Sequence, residues 1–497
     1  MAKTTRPPVK STSFKLDVLA LASGTVAGQM LTILTAPILG RLFDAEAFGI
    51  FALVASIAAV FASVDSLKFE QAIMLPEKDE DAANLGVGAF GISLAFNLLL
   101  LPALWVFGPL LAGWLNAPEI IRFLLLVPLI VLFGGFGPGH SILAAWAARM
   151  RRFSQISSSR LAGAISTNLA KLAAGFAGFN SGAGLISGSV IGSIVSPLLL
   201  GWRIWREDGK FIARSIRFHR IRSNLARYRK FAIYNTPSAL LNTLSIQIPQ
   251  FLLAIFFSTA VVGFYSFGYQ LLSIPMSLIG TSVSQAFYPH AAAAHKQREL
   301  GKFVESAFRR LIEYSLFPTL MLMISGRELF SVVFGSRWAE AGVYAQILSL
   351  WLLFWFISMP LSQLFNVLEK NEFYFRWNLV ILLTRVASIW LGAALGSPRL
   401  ALVFFSASGA CIYAYISYWV SLKAGVHWTL IAGMLMRNFI IFVPAGGLIL
   451  VSQVFPLPDL VVALLASVLT GLYFLYRLRS EAAFHSIFSR IGRFFTK

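Results

Sequence analysis

Long apolar runs, separated by short polar segments, follow one another along the whole chain. A helical run of about 20 residues spans the hydrocarbon core of a bilayer, which is about 30 Å thick. The pattern predicts an all-α integral membrane protein with about fourteen transmembrane helices and no folded soluble domain. The runs cover residues 17–39, 47–66, 84–107, 120–146, 155–178, 183–202, 231–256, 260–286, 311–333, 343–367, 375–395, 400–422, 431–452 and 457–476.

The composition supports this interpretation. Of the 497 residues, 57% are hydrophobic and 12% are charged, whereas soluble domains carry about 25% charged residues. The basic and then apolar start is typical of a signal peptide, but the first apolar run continues to Leu39. We therefore expect a retained first helix. The single Cys411 excludes a disulfide framework and any multi-cysteine metal site.

The net charge of +20 is distributed unevenly. If the N-terminus is cytoplasmic, 31 of the 41 Lys and Arg residues fall in cytoplasmic segments and three in the opposite loops. This asymmetry predicts an even number of spans with both termini in the cytoplasm. The basic segments 203–230 and 477–497 are interpreted as surface helices on anionic membrane lipids. No nucleic-acid partner is expected.

Short matches at a constant offset indicate an internal repeat. Gln71 and Gln285 are 214 positions apart, and the same offset relates Gly49 to Gly263. An even number of spans lies between the copies, so both copies have the same orientation in the membrane. The chain is expected to form two parallel-repeat lobes of six helices with a substrate site between them, followed by two extra C-terminal helices.

The repeat predicts the organisation of the chain. The expected parts are a cytoplasmic N-terminal tail (1–16), an N-lobe of six spans (17–202), a basic cytoplasmic linker (203–230), a C-lobe of six spans (231–422), the thirteenth and fourteenth spans (423–476) and a basic amphipathic cytoplasmic tail (477–497).

Polar side chains recur at helical spacing on several spans. Gln29 lies on the first span, Asn235 and Asn242 lie on the seventh, and Gln270 lies on the eighth. Such stripes either allow close helix packing or line a water-filled cavity. Because the first and seventh spans are repeat partners, their matching stripes favour a shared cavity.

The charges nearest the middle of a span are two cations. Lys171 lies in the fifth span and Arg385 in its repeat partner, the eleventh, and Arg160 shares the face of Lys171. Charges at this depth are costly and usually face a cavity or a partner. These cations either reach the membrane surface or helix carbonyls for structural reasons, or they line a cavity for an anionic substrate.

The segment SLKFEQAIMLPEKDED, residues 66–81, follows the second span. Lys68 and Glu70 are expected to pair locally and anchor the helix, Pro76 to end it, and the acids at 77–81 to form a solvated loop. The alternative is a gating contact of Lys68 or Glu70 with the region of Gln285.

Signatures of catalysis and of bound cofactors are missing from the sequence. There is no phosphate-binding loop motif, the six His residues show no metal-ligand spacing, and the outer loops are short. Neither an enzyme nor a cofactor is expected. Carboxylates are found in loops or near span ends, and among them Asp65 is the candidate for ion coupling.

Three segments resemble the polysaccharide-biosynthesis, O-antigen-type flippases of the multidrug/oligosaccharidyl-lipid/polysaccharide exporter superfamily. They are PILGRLFDAEAFGIFAL (37–53), SLKFEQAIMLP (66–76) and FGSRWAEAGVYAQIL (334–348). The second is the most specific, since it resembles the family's Ser-Leu-Arg-Tyr-Glu-x-Ala-Ile-x-Leu-Pro with Lys68 and Phe69 at the Arg and Tyr positions. Arg41 in the first segment matches the family's Arg that precedes Phe-Gly, so the resemblance makes it a candidate for the substrate-binding cavity.

The resemblance implies a function. It implies a secondary transporter in the bacterial inner membrane that flips an undecaprenyl-diphosphate-linked oligosaccharide from the cytoplasmic to the periplasmic leaflet by alternating access. The product would serve O-antigen, lipopolysaccharide, exopolysaccharide or capsule assembly, and a polysaccharide polymerase and export machinery are expected partners. In related lipid II flippases the two extra helices help to form a groove for the lipid tail. An ion-coupled multidrug exporter of the same superfamily and a membrane enzyme of polysaccharide assembly are the alternatives.

Overall fold

The computed structural model of the protein consists of helices joined by short turns, without a strand in the residues that it describes. Those residues are 11–134, 138–368, 371–455 and 457–480, so most of the expected terminal tails lies outside them. The helices are α1 (Ser11–Leu42), α2 (Ala45–Ala62), α3 (Asp79–Trp114), α4 (Ile121–Leu124), α5 (Val127–Phe133), α6 (Pro138–Arg149), α7 (Phe153–Phe176), α8 (Gly182–Ser215), α9 (Phe218–Arg227), α10 (Thr236–Phe256), α11 (Thr259–Lys296), α12 (Leu300–Phe334), α13 (Ala339–Leu361), α14 (Leu364–Val367), α15 (Asn371–Ala394), α16 (Pro398–Lys423), α17 (Trp428–Val454) and α18 (Asp459–Ser480). Short 3₁₀ turns at Phe69–Ala72, Pro118–Ile120 and Ser336–Trp338 and a π-helical turn at Phe231–Asn235 connect some of them.

Ten helices in the described part of the chain are long and apolar enough to cross a membrane. They are α2, α3, α8, α10 with the turn before it, α12, α13, α15, α16, α17 and α18. The other four predicted spans coincide with α1, the α5–α6 pair, α7 and α11. The all-α membrane fold is confirmed, and the count of fourteen spans stays a prediction.

The helices α2 and α11 begin with the same capping arrangement, 214 positions apart. The Asp44 carboxylate accepts a hydrogen bond from the backbone N–H of Ala47 at 2.8 Å, and the Ser258 hydroxyl accepts one from Val261 at 3.3 Å. Side-chain oxygens at these positions satisfy N–H groups that have no partner within the helix. Each copy of the repeat therefore has a matching helix start.

The same two helices cross with no side chain between their first turns. A Cβ atom on Gly49 would lie 1.8 Å from the carbonyl oxygen of Thr259, and one on Gly263 would lie 1.7 Å from that of Ala45. Only glycine permits such an approach, as in other close helix crossings in membranes. The first and second halves of the chain thus meet backbone to backbone at the predicted outer end of the molecule.

An aromatic cluster packs beside this crossing. The ring of the buried Trp338 lies 5.3 Å from that of Phe48, 4.1 Å from that of Phe267 and 6.0 Å from that of Phe264, between centroids. Its indole N–H donates to the carbonyl of Gly40 at 2.6 Å. Since Gly40 and Phe48 belong to the first half, the cluster strengthens the contact between the halves.

The last two helices, α17 and α18, pack against α12. The ring of Phe317 stacks on that of Tyr473 with centroids 4.2 Å apart, and Phe442 of α17 meets Phe317 edge to face at 5.8 Å. Arg477 forms an ion pair with Glu313 at 3.4 Å. These two helices are attached to the second half mainly through one helix.

The basic linker differs from the expected surface helix on lipid. The helix α8 continues the sixth span without a break, and α9 places Ile221 and Leu225 against Gly88 of α3. Arg220 pairs with Glu80 at the start of α3. Part of the apolar face of this linker therefore packs against Gly88 of α3, and part of its positive charge pairs with the acidic first turn of α3.

Asn84, which is fully buried, is hydrogen-bonded to the backbone at the end of α8. Its amide nitrogen donates to the carbonyl of Ser215 at 2.8 Å, and its amide oxygen accepts from the N–H of Arg217 at 2.8 Å. The side chain thus satisfies one acceptor at the end of α8 and one donor before α9. The start of α3 and the end of α8 are therefore held together.

Candidate functional site

The segment after the second span forms a tight turn. Leu67 and Lys68 have positive φ angles of 52° and 59°, a conformation that costs residues with a Cβ atom about 1–2 kcal/mol. The ammonium of Lys68 is 3.6 Å from one oxygen of Glu70, and the Ser66 hydroxyl donates to the other at 2.6 Å. The local pairing expected from the sequence is present.

Arg149 of α6 holds the rest of this segment in place. Its guanidinium donates to the carbonyls of Ile73 at 3.0 Å and Pro76 at 2.7 Å, and it pairs with Asp79 at 2.8 Å. A guanidinium has enough donors for all three partners. From the sequence alone, Arg149 belongs only to the basic segments predicted to be cytoplasmic, because the carbonyls that it binds are more than 70 positions away.

Two expectations about this region change. The acids Asp79 to Asp81 form the first turn of α3 rather than a solvated loop, since negative charge is favourable at a helix N-terminus. The side chain of Gln285 lies outside the described residues, so its proposed contact stays a prediction. Gln71 instead accepts a hydrogen bond from Asn235 at 2.9 Å, which joins the first half to the turn before α10.

The carboxylate of Asp65 is buried just beyond the end of α2. The residue is 1% exposed, and one of its oxygens accepts a hydrogen bond from the Ser93 hydroxyl of α3 at 3.0 Å. Burial raises the pKa of Asp65 from 3.8 to about 7. The sequence placed this residue near a span end, and its burial depends on the packing of α3 against the turn.

The two deep cations lie against aromatic rings in different halves. The ammonium of Lys171 is 4.3 Å from the centroid of Phe51 on α2. The guanidinium of Arg385 lies 5.7 Å from the ring of Trp351 and 5.9 Å from that of Phe405. Cations are attracted to such ring faces. The two cations therefore have different ring partners.

Arg385 is also bound to the backbone of α10. It donates to the carbonyl of Ser245, and its distance to the Ser245 hydroxyl is 3.1 Å. This is the structural alternative that the sequence left open, a cation paired with a helix carbonyl. Arg160 has a side-chain partner instead, since its Nε donates to Nε2 of His140 at 3.3 Å, and Nδ1 of that ring is 3.1 Å from the Ser196 hydroxyl.

The residues of the predicted polar stripes lie in different environments. The amide oxygen of Gln29 is buried without a hydrogen-bond partner, whereas Asn242 and Gln270 are exposed. The side chain of Arg41 is exposed at the predicted outer end, where its carbonyl accepts from Arg337. Each polar residue therefore has a position of its own, and their convergence on one site stays a prediction.

A ladder of stacked rings crosses from α11 to α13. Tyr265 stacks on Tyr269 with centroids 5.9 Å apart, Tyr269 on Trp351 at 5.8 Å, and Trp351 on Trp355 at 6.2 Å. The ladder places Arg385 next to the ring of Trp351. The four residues stand on two helices, so no local pattern could indicate the stack.

A cavity with a volume of about 910 Å³ lies beside α11 and α12. Its wall is mainly apolar, and Phe474 of α18 contributes to it. Representative lining residues are Leu272, Phe287, Leu311, Phe356 and Phe474, with Arg310 as the cation among them. A smaller cavity of about 420 Å³ shares Arg310 with it and is lined by Lys302, Glu305, Ser306, Arg309, Arg310 and Glu313.

This arrangement, a multi-pass helical bundle with two halves in contact and a cavity beside them, is the fold of a class of membrane transporters. The structure is similar to that of the lipid II flippase MurJ in an inward closed conformation, with a TM-score of 0.69 and 12% sequence identity over 93% of this chain and 99% of that chain. It is also similar to an inward-facing multidrug resistance MATE family transporter of the MOP superfamily, with a TM-score of 0.55 and 13% identity over 83% of this chain and 98% of that chain. At such identities the likeness shows the fold alone.

Within this class the sequence identifies the family. Residues 38–343 match the family model described as polysaccharide biosynthesis protein, and the chain belongs to that family. It is 19% identical over 323 residues to the teichuronic acid biosynthesis protein TuaB of Bacillus subtilis, covering 62% of each chain. It is 24% identical over 403 residues to the succinoglycan biosynthesis transport protein ExoT of Rhizobium meliloti, covering 79% of this chain and 77% of that one. The family resemblance deduced from the three sequence segments is confirmed.

Proposed function

We propose that the protein flips an undecaprenyl-diphosphate-linked oligosaccharide from the cytoplasmic to the periplasmic leaflet of the bacterial inner membrane, with both termini in the cytoplasm. Membership of a polysaccharide biosynthesis family and the likeness to transporter folds support transport in this process. The transported unit would supply a surface polysaccharide such as O-antigen, exopolysaccharide or capsule. A polysaccharide polymerase and export machinery would act on it afterwards.

The observation that carries this proposal is the pair of adjoining cavities beside α12. An apolar cavity of about 910 Å³ suits a hydrocarbon chain, and the adjoining cavity carries Lys302, Arg309 and Arg310 beside Glu305 and Glu313. Arg309 forms an ion pair with Glu305 at 3.2 Å, so Arg310, which lines both cavities, is the cation assigned to the substrate. Cations of this kind complement phosphate oxygens. Together the two cavities match the chemistry of a lipid with an anionic head group. This assigns part of the prenyl chain to the large cavity and the diphosphate to its cationic neighbour.

Transport would proceed by movement of the two halves and without chemistry on the substrate. The glycine crossing of α2 and α11 would separate to open the predicted outer end. The prenyl chain can stay in an apolar environment throughout, which avoids the cost of exposing its surface to water, about 25 cal/mol per Å². The exposed polar side chains of Asn242 and Gln270 would hydrate the glycan.

A deletion strain tests the proposal. Extraction and mass analysis of its lipid-linked oligosaccharides should reveal a complete repeat unit accumulated on its prenyl carrier, together with loss of the surface polymer. Normal lipid-linked pools and normal polymer, in a strain without a second flippase, would contradict the proposal.

Variants of the cavities then test the observation itself. Ala307 lines the large cavity, so Ala307→Trp should fill it and reproduce the accumulation, and Arg310→Gln should do so by removing the shared cation. Gly471→Trp is the matched control, because Gly471 is exposed and nothing lies within 4 Å of a Cβ atom added there. Equal complementation by the Ala307 variant and this control would exclude the cavity as the lipid site.

An ion-coupled exporter of the same superfamily is the second candidate. It is favoured by the buried carboxylate of Asp65, since the sequence had shown no buried acid of the kind that such an exporter needs. Increased sensitivity of the deletion strain to cationic drugs, with normal lipid-linked pools, would favour it. A membrane enzyme of polysaccharide assembly is the least supported alternative, because the relatives and structural neighbours described above are named as transporters or biosynthesis proteins.

A further inference from the structure

Asp65 is hydrogen-bonded to Ser93 on α3, and Asn97 lies one turn further along the same helix. The Ser93 hydroxyl donates to one carboxylate oxygen of Asp65 at 3.0 Å, and the Asn97 amide donates to the carbonyl of Ser93 at 2.9 Å. Both residues of α3 are buried, at 0% and 4% exposure. Ser93 and Asn97 are four positions apart and so lie on one face of the helix.

Two acceptor atoms in this group lack a donor. They are the other carboxylate oxygen of Asp65 and the amide oxygen of Asn97, both buried without a hydrogen-bond partner. A buried acceptor without a donor costs about 1–3 kcal/mol, and more when it is charged. A proton on Asp65 removes the buried charge and converts one acceptor into a donor, so this pocket suits the protonated carboxyl group.

The charges around Asp65 do little to stabilise its ionised form. Burial is the main cause of its raised pKa of about 7, and the negative charge of Glu70 adds to it. The Ser93 hydroxyl, the N–H of Ser66 and the Lys68 ammonium oppose the shift. Lys68 is itself 3.6 Å from Glu70, and the side chains that α3 presents to the carboxylate, Ser93 and Asn97, do not titrate.

The position of Asp65 connects it to the contact between the halves. It precedes the turn at residues 66–76, in which Leu67 and Lys68 adopt the left-handed conformation. That turn carries Gln71, which binds Asn235 before α10. Backbone strain at such a site persists where the surrounding structure enforces it. A change of charge at Asp65 therefore acts on the segment that joins the two halves.

We propose that the carboxyl group of Asp65 reversibly binds a proton during the transport cycle and is the site at which transport is coupled to protons. The step is a simple proton transfer between water and the carboxylate. Its coupling to substrate movement rests on the proposed transport function, whereas the binding of a proton does not.

Infrared difference titration of the purified full-length protein in lipid nanodiscs tests proton binding without transport. The wild type should show a protonated-carboxyl band that disappears as the pH rises through neutrality. Asp65→Asn should lack that band. Glu328→Gln should keep it, which controls for the other buried acid among the described residues, and so should the exposed variant Glu119→Gln. Retention of the band in Asp65→Asn would overturn the proposal.

Two further measurements keep the test decisive. If Asp65→Asn does not fold, Ser93→Ala replaces it, and loss of the donated hydrogen bond should move the titration to higher pH; an unchanged midpoint would overturn the assignment. Sodium at fixed pH should leave the band unchanged in the wild type. A band that responds to sodium but not to pH would identify a metal-cation site instead.

Coupling is tested in proteoliposomes with an imposed pH gradient and the lipid-linked oligosaccharide. The gradient should change the flipping rate of the wild type and leave that of Asp65→Asn unchanged. Flipping by the wild type that ignores the gradient would refute coupling while supporting the proposed function. Absence of any flipping, together with normal lipid-linked pools in the deletion strain, would refute the proposed function, while the titration result would stand.

Discussion

Gly49 and Gly263 face each other where α2 crosses α11. A Cβ atom on Gly49 would lie 3.1 Å from the backbone nitrogen of Gly263, and one on Gly263 would lie 3.0 Å from that of Gly49. Residues at equivalent positions of the repeat thus form a nearly symmetric contact in which neither side contributes a side chain. Because the contact joins the two halves of the chain, its separation is the expected first event in opening this end.

Replacement of Gly263 by Ala should weaken the closed conformation. The added methyl group would meet the carbonyl of Ala45 at 1.7 Å and force the helices apart. In a background without Cys411, a cysteine placed at the buried Ala47 should then react with a thiol reagent several-fold faster. The control is Gly433→Ala on α17, where nothing lies within 4 Å. Equal reaction rates in the two variants would show that the crossing is not closed in the membrane.

Replacement of Arg149 by Gln should release the turn after the second span. The carbonyls of Ile73 and Pro76 lose a buried charged donor, at a cost of about 3 kcal/mol in the free energy of unfolding. Limited trypsin digestion should cleave at Lys78 earlier than in the wild type, and the melting temperature should fall. The exposed Arg214→Gln variant should behave as the wild type does. An unchanged cleavage pattern at Lys78 would contradict the anchoring role.

Replacement of Arg385 by Gln distinguishes the two interpretations of this cation. Since its guanidinium binds the Ser245 carbonyl and faces two rings, the variant should lose about 2 kcal/mol of stability. Ser245→Ala keeps the carbonyl and should lose much less. A variant with the wild-type melting temperature but without transport would instead place Arg385 among the groups that bind substrate.

The stability of the folded protein should fall as the pH rises from about 4 to about 7. The pKa of Asp65 is raised to about 7 in the folded protein from 3.8, so the folded state holds a proton that the unfolded state has already released. Stability from this group is present at low pH and is lost as the pH rises through the folded pKa. Thermal unfolding at several pH values should show this slope in the wild type and a flatter one in Asp65→Asn. Identical slopes would contradict the burial of the ionisable carboxyl.

The sequence predicted those features of the fold that depend on local composition. Apolar runs identified the membrane helices, and the offset between Gly49 and Gly263 identified the two helix starts that meet. It did not predict the burial of Asp65 or the role of Arg149, because both depend on which distant segment packs beside them. The ring ladder around Trp351 was missed for the same reason. Sequence spacing assigns residues to a helix face, whereas their partners follow from the packing of that face.

The continuous helix α8 has a mechanical consequence. Its 34 residues extend about 51 Å at about 1.5 Å per residue, so about 20 Å project beyond a hydrocarbon core of about 30 Å. Asn84 of α3 binds the C-terminal end of α8. The two helices therefore move together as one rigid body. A small rotation of this rigid body displaces atoms near mid-membrane only slightly, but it displaces the projecting end of α8 much further. A spectroscopic label near Ser215 should consequently report the rocking of the first half with greater amplitude than a label at the membrane centre.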